Sequence, residues 1–155
     1  MVSFGRNIRT MKSILTTLAC VITMSASAQS FLGKWKTIDD ETGKPKSIVE
    51  IYKNGNTYEG KIIKLFRGPD QDPDPICDKC DNDDPRYNQK IIGMKIIQGM
   101  EYDEDDQELE DGTILDPKNG EVYDCKIWKG DDGNLKVRGY VMMFYRTQTW
   151  LPYEG

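Results

Sequence analysis

Residues 47–66 read SIVEIYKNGNTYEGKIIKLF. Two apolar-rich runs, Ser47 to Lys53 and Thr57 to Phe66, flank Asn54-Gly55-Asn56, a tight-turn signal of the kind that accepts positive φ. The stretch is predicted to be a β-hairpin. Upstream, FLGKWKTI (Phe31 to Ile38) reads as another strand, joined to the hairpin by the polar turn region DDETGKPK. These three strands form a local antiparallel unit. From Phe31 onward the apolar signal keeps mostly a period of two, with turn residues between short runs.

Downstream the pattern continues. IIGMKIIQGM (Ile91 to Met100) is a strand, and the very acidic Tyr102 to Glu110 is a strand end, a turn of helix or a solvated flap. GTILD (Gly112 to Asp116) is extended and precedes the turn Pro117-Lys118-Asn119-Gly120. In EVYDCKIWK (121–129), Tyr123, Cys125 and Ile127 share a face. NLKVRGYVMMF (134–144) places Leu135, Val137, Gly139 and Val141 opposite Lys136, Arg138 and Tyr140. YRTQTW (145–150) sets Arg146, Gln148 and Trp150 on one side. About eight short strands with hairpin-length links, and no helix with an apolar stripe, give an all-β fold. An antiparallel up-and-down β-barrel is preferred to a sandwich, because closure removes both exposed edges and leaves an interior that side chains or one small ligand fills.

Composition bounds the function. The chain has 155 residues, 30% charged and 37% hydrophobic, which suits one domain. Met11-Lys12 begins a basic start, ILTTLACVITM (14–24) is an apolar stretch too short to span a bilayer, and Ala26-Ser27-Ala28 is a cleavage signal. Residues 1–28 are therefore expected to be a cleaved signal peptide, with Met11 as an alternative start, and 29–155 to be an exported domain, periplasmic or extracellular. Thr17-Leu18-Ala19-Cys20 only loosely resembles a lipidation signal, since apolar residues continue past Cys20. No later segment reaches transmembrane length. The net charge of −5 and the absence of a basic stripe argue against nucleic acid. The absence of histidine removes Ser-His and Cys-His nucleophilic pairs and every histidine-containing metal site.

Residues 67–90 form a long acidic loop in which Asp-Pro pairs and Pro69 oppose regular pairing. Cys77 and Cys80 lie there among aspartates, whose charge disfavours a reactive thiolate. Zinc would lack partners, and no cofactor or metal is expected. Asp70-x-Asp72-x-Asp74 opens like a calcium loop, but Pro75 stands where glycine makes the sharp turn. In an exported chain the pair reads as a Cys77–Cys80 disulfide worth only about 2 kcal/mol through loop entropy. Cys125 is expected buried and free, or else paired with one of them. The acid pairs at 83–84, 103–106 and 131–132 lie in turns, so they read as solvated surface rather than as catalytic carboxylates.

Gly33-Lys34-Trp35 on the first strand, with arginines on late strands, resembles the lipocalin or calycin arrangement, in which an arginine from a late strand covers the G-x-W tryptophan to plug one end of the barrel. Arg146 is the first candidate for that arginine and Arg138 the second. GKWKTIDDETGKPKS (33–47), CDKC (77–80), IIGMKII (91–97), GTILDPKNGEVYDCKI (112–127) and LKVRGYV…YRTQTW (135–150) together resemble a secreted bacterial family called domain of unknown function 2147. The resemblance implies a small exported β domain without an assigned activity. It also implies a glycine-containing link before the last strand, where this chain has VMMF.

The residues give no evident nucleophile–base pair, so the expectation is a non-enzymatic binder of a small apolar or lipid-like molecule. Trp35, Tyr52, Tyr123, Tyr140 and Trp150 are candidate ligand walls, and Arg138, Arg146 and Gln148 are candidate polar contacts. Partner capture by the acidic loops around a filled core is the alternative. Oligomeric state is not legible.

Overall fold

Alternating runs too short to bury a face alone pair with their chain neighbours, and the ladder they build closes on itself. The computed structural model describes residues 31–155. The expected signal peptide, the alternative start at Met11 and the Cys20 signal lie outside those residues. The strands are β1 (Gly33–Ile38), β2 (Pro45–Asn54), β3 (Thr57–Leu65), β4 (Lys95–Asp103), β5 (Glu108–Asp116), β6 (Glu121–Lys129), β7 (Leu135–Val141) and β8 (Phe144–Pro152). They form a closed antiparallel barrel in sequence order, as the period-two pattern predicts. Among the described residues no helix is long and apolar enough to cross a membrane. The β2–β3 hairpin pairs Asn54 with Thr57, leaving Gly55-Asn56 as its turn.

The interior is apolar at one end. Phe31, Trp35, Tyr58, Met100, Leu109, Ile127 and Leu135 are buried there, as part of one cluster that also reaches Leu115, Val137 and the Cys77–Cys80 pair. The Trp35 indole N–H donates to the carbonyl of Phe31 at 2.9 Å, so the segment entering β1 folds under the barrel as a plug. The outer wall carries ion pairs instead, among them Lys61–Glu50 at 3.1 Å and Lys126–Glu110 at 3.0 Å.

Three boundaries depart from the sequence reading. β4 begins at Lys95, because Ile91 to Met94 are tied to the loop and to β3 through Gly93 N–H to the Ile62 carbonyl at 2.6 Å. The acidic 102–110 segment divides into the end of β4, a turn and the start of β5. Asp103 Oδ1 accepts the N–H groups of Asp105 and Asp106 at 2.7 and 3.1 Å to make that turn. The run 134–144 is not one strand: Met142 and Met143 form a two-residue turn between paired Val141 and Phe144.

The long loop is built rather than slack. Ile76 bridges Lys90, Cys77 and Cys80 are joined as a disulfide, and both sulfurs belong to the buried cluster. Gly120, at φ +78°, holds the loop against the β5–β6 turn, where an added Cβ would lie 1.7 Å from the Lys79 carbonyl oxygen. Cys125 is free and buried in the barrel.

Asp84 locks the loop's second half. Its carboxylate accepts Arg86 Nε at 2.8 Å and Nη2 at 2.6 Å, while Arg86 Nη1 reaches the Lys95 carbonyl at 3.2 Å. The guanidinium beside Asp84 holds its carboxyl below the ordinary 3.8. A depressed carboxyl stabilises the fold above its unfolded pKa, and that contribution is lost as pH falls through the folded value. Asp84→Asn is expected to cost about 1–3 kcal/mol in urea unfolding at neutral pH. The gap to the wild type should begin to narrow below pH 3.8 and close once the folded carboxyl is protonated; a gap that does not narrow on acidification would contradict the assignment.

Candidate functional site

The plugged end carries the chain entry, the β2–β3 turn and the β6–β7 turn. The opposite end carries the β1–β2, β5–β6 and β7–β8 turns, and there the interior is not filled. A cavity of about 310 Å³ opens at this mouth. Strand alternation supplies its walls: Val137, Gly139 and Val141 from β7, and Arg146, Gln148 and Trp150 from β8. Ile62, Ile96 and Ile114 face them from β3, β4 and β5. Trp150, paired with Leu135 and almost wholly buried, forms the floor where cavity meets plug. Gly139 keeps the wall thin: a Cβ there would sit 3.3 Å from Tyr123 Cβ and 3.8 Å from Ile114.

The polar groups are few and already partnered. Thr37 and Ser47 hydroxyls meet at 2.7 Å on the inner wall. Trp150 Nε1–H donates to Gln148 Oε1 at 3.2 Å, and Gln148 Nε2 donates to Asp40 at 2.9 Å. Asp40 also holds Arg146 at 2.5 Å. Lys46 lies 3.5 Å from Asp116, and Asn119 donates to the Tyr123 hydroxyl at 2.7 Å. The two cations that line the cavity, Lys46 and Arg146, thus each face a carboxylate, and its depth is uncharged. Such a lining selects by shape and apolar burial, with a polar rim to orient one end of a guest.

Of the residues singled out in the sequence, Tyr123, Arg146, Gln148 and Trp150 line this cavity. The others are elsewhere. Trp35 is in the plug, and the expected arginine does not cover it. Among the described residues the cation over its ring is Lys129, at 5.7 Å. Arg146 is held by Asp40, and Arg138 lies on the outer wall 4.8 Å from the Trp128 ring and 4.3 Å from the Tyr145 ring. Both arginines start too far up the barrel to reach its base. Tyr52 is on the outer wall, donating to Glu59 at 3.0 Å beneath the Lys61 ammonium. Tyr140 is also outside, its ring 6.0 Å from that of Tyr145.

Arg138 and Tyr140 could have been set aside earlier, since alternation puts them opposite Val137 and Gly139. Sequence reasoning missed Thr37, Ser47, Ile114 and Phe144. Thr37 had a signal: it stands two residues beyond Trp35 on the inward face. The carboxylates outside the cavity serve their own turns. Asp39 is drawn below the usual carboxylate range by Thr42, Asp103 by the N–H groups of Asp106 and Asp105, and Asp132 by Asn134 and Lys136. Burial pushes the Cys125 thiol up to about 12, so it is no nucleophile at neutral pH.

A family model described as "Uncharacterized protein conserved in bacteria (DUF2147)" matches residues 33–151. Among solved structures, the chain is similar to protein HP1028 from Helicobacter pylori, described as belonging to the lipocalin family. The TM-score is 0.66 at 15% identity, covering 80% of this chain and 83% of that one. At that identity the likeness concerns the fold. A comparison with curated protein sequences gives no match.

Asp40 is the tie between the first turn and the upper half of β8. Asp40→Ala should lower stability by less than about 1 kcal/mol, as for exposed ion pairs. Amide exchange should nonetheless accelerate at Arg146 to Gln148. Unchanged protection there would show that side chains do not hold the seam.

Proposed function

The chain belongs to the bacterial DUF2147 family, and we propose that it is a non-enzymatic binding protein for one small apolar or amphipathic molecule. The observation that carries this reading is the 310 Å³ cavity with an indole floor, aliphatic walls and polar groups confined mainly to its rim. At about 30 Å³ per water-sized unit, the space suits roughly ten non-hydrogen atoms. That is a short aliphatic chain, a small ring, or one end of a longer lipid.

The guest's apolar end rests on Trp150 between Ile62, Ile96 and Ile114. Its polar end lies near Gln148, Arg146 and the Thr37–Ser47 hydroxyl pair. Eight buried methylenes supply about 6 kcal/mol before ordering costs, so a dissociation constant between about 1 μM and 1 mM is expected. The protein acts after export: a buried disulfide suits an oxidising compartment. Engagement of Asp39, Asp84, Asp103 and Asp132 within their own turns weighs against both a carboxylate hydrolase and an acidic partner-binding surface.

The test is displacement of anilinonaphthalene sulfonate by decanoic acid, with the fluorescence of the bound dye as readout. Ile114→Phe, which pushes a ring into the cavity, should weaken decanoic acid at least about tenfold. Tyr52→Phe on the outer wall should leave it unchanged. No saturable displacement by the wild type, or equal affinity in Ile114→Phe, would overturn the reading.

A further inference from the structure

We propose that the β7–β8 hairpin is a lipid-docking tip that seats the mouth of the barrel on a phospholipid bilayer. Its residues expose apolar surface to a degree that a barrel's turns do not require. Met142 is 96% exposed, Met143 85%, Phe144 71% and Tyr145 62%, and Val141 is nearly half exposed. A contiguous exposed apolar patch marks an interaction site.

The turn chemistry points the same way. Met142 occupies the first turn position at φ +53°. A two-residue hairpin turn takes glycine, asparagine or aspartate where φ is positive. A long apolar side chain held in that conformation runs against local preference, which marks the position as one to explain by function.

The order of residues up the hairpin fits a membrane interface. The unbranched methionines are at the apex, the aromatic Phe144 and Tyr145 stand directly beneath, and Arg138 and Arg146 follow. At about 3.3 Å per residue, the Arg146 and Arg138 backbone positions stand roughly 10 and 13 Å below the apex. Interfacial elements sink about that far, with aromatic rings at headgroup level. The tip is braced for this: Arg138 lies 4.3 Å from the Tyr145 ring, and the Tyr140 and Tyr145 rings meet at a tilt with centroids 6.0 Å apart. Val141 pairs with Phe144, so backbone groups beside the apex are satisfied within the hairpin. A second copy of the chain is a poorer occupant. Stable interfaces use about 20–30 residues a side, whereas the exposed apolar run here is Val141 to Tyr145, on molecules that share a net negative charge.

Val141, Phe144 and Tyr145 also line the cavity, so a seated tip brings the cavity mouth to the lipid surface. The proposal does not depend on what the cavity holds, and it is tested on protein without added ligand. In vesicle flotation, the protein should rise with vesicles of phosphatidylcholine alone as well as with vesicles of phosphatidylethanolamine and phosphatidylglycerol. Met142→Gly combined with Met143→Ser should weaken that association by about tenfold or more. Its melting temperature should equal or exceed that of the wild type, because glycine accepts the positive φ. Met143→Ser alone, at a position without positive φ, should give a smaller loss and guards against a folding defect in the double variant. Failure of the wild type to float, equal flotation of the double variant, or binding to anionic vesicles alone would overturn the proposal. So would sedimentation showing a dimer that the double variant dissociates, which would make the tip a contact between copies.

Discussion

The barrel closes over a seam only two residue pairs long. Trp35 faces Pro152 and Lys36 faces Leu151, with one further bond from the Tyr153 N–H to the Lys34 carbonyl at 3.0 Å. β1 has six residues against ten in β2 and nine in β8, so it ends before the upper half of β8 is reached. Below that point, backbone pairing and the Phe31–Trp35 plug make a packed base. Above it, Asp40 reaches Arg146 and Gln148 through side chains. Side-chain ties of this exposed kind contribute far less than a continuous ladder. The difference in length between two strands therefore sets a rigid end and a yielding end, and the cavity sits at the yielding one.

The strand ladder was legible because alternation and turn chemistry agree along most of the chain. Asn54-Gly55-Asn56, Pro117 to Gly120 and the GDDGN segment at 130–134 each announce a reversal, and the structure turns at all of them. Met142-Met143 announces nothing, so β7 ran on past its end. The interior lining of β6, β7 and β8 followed from a period of two. The lining from β3, β4 and β5 was harder, because bulges at Ile48/Val49 and around Gly60 and Gly112 shift the register within runs apolar on both faces. The arginine expected over Trp35 came from likeness to other barrels. Among the described residues Lys129, at the adjoining end of β6, is the cation over the Trp35 ring. Height along a strand decides which side chain arrives, and spacing alone does not report height.

The acidic character that dominates the sequence has a local cause. Aspartates at turn openings accept backbone N–H groups, as Asp39, Asp81 and Asp116 do. They shape the reversals that a small barrel needs, and their charge is a consequence of that work. The apolar residues left over after the core is filled are the informative ones. The most exposed of them, Met142, Met143, Phe144 and Tyr145, lie on the β7–β8 hairpin above the cavity.

The three tryptophans report on three places: Trp35 in the plug, Trp128 on the outer wall beneath Arg138, and Trp150 at the cavity floor. Their indole N–H resonances, followed during a titration with decanoic acid, separate entry into the barrel from adhesion to its surface. An accessible apolar cavity requires that the Trp150 signal move saturably while those of Trp35 and Trp128 stay in place. Movement confined to Trp128, or no movement of Trp150 at saturating decanoic acid, would contradict it.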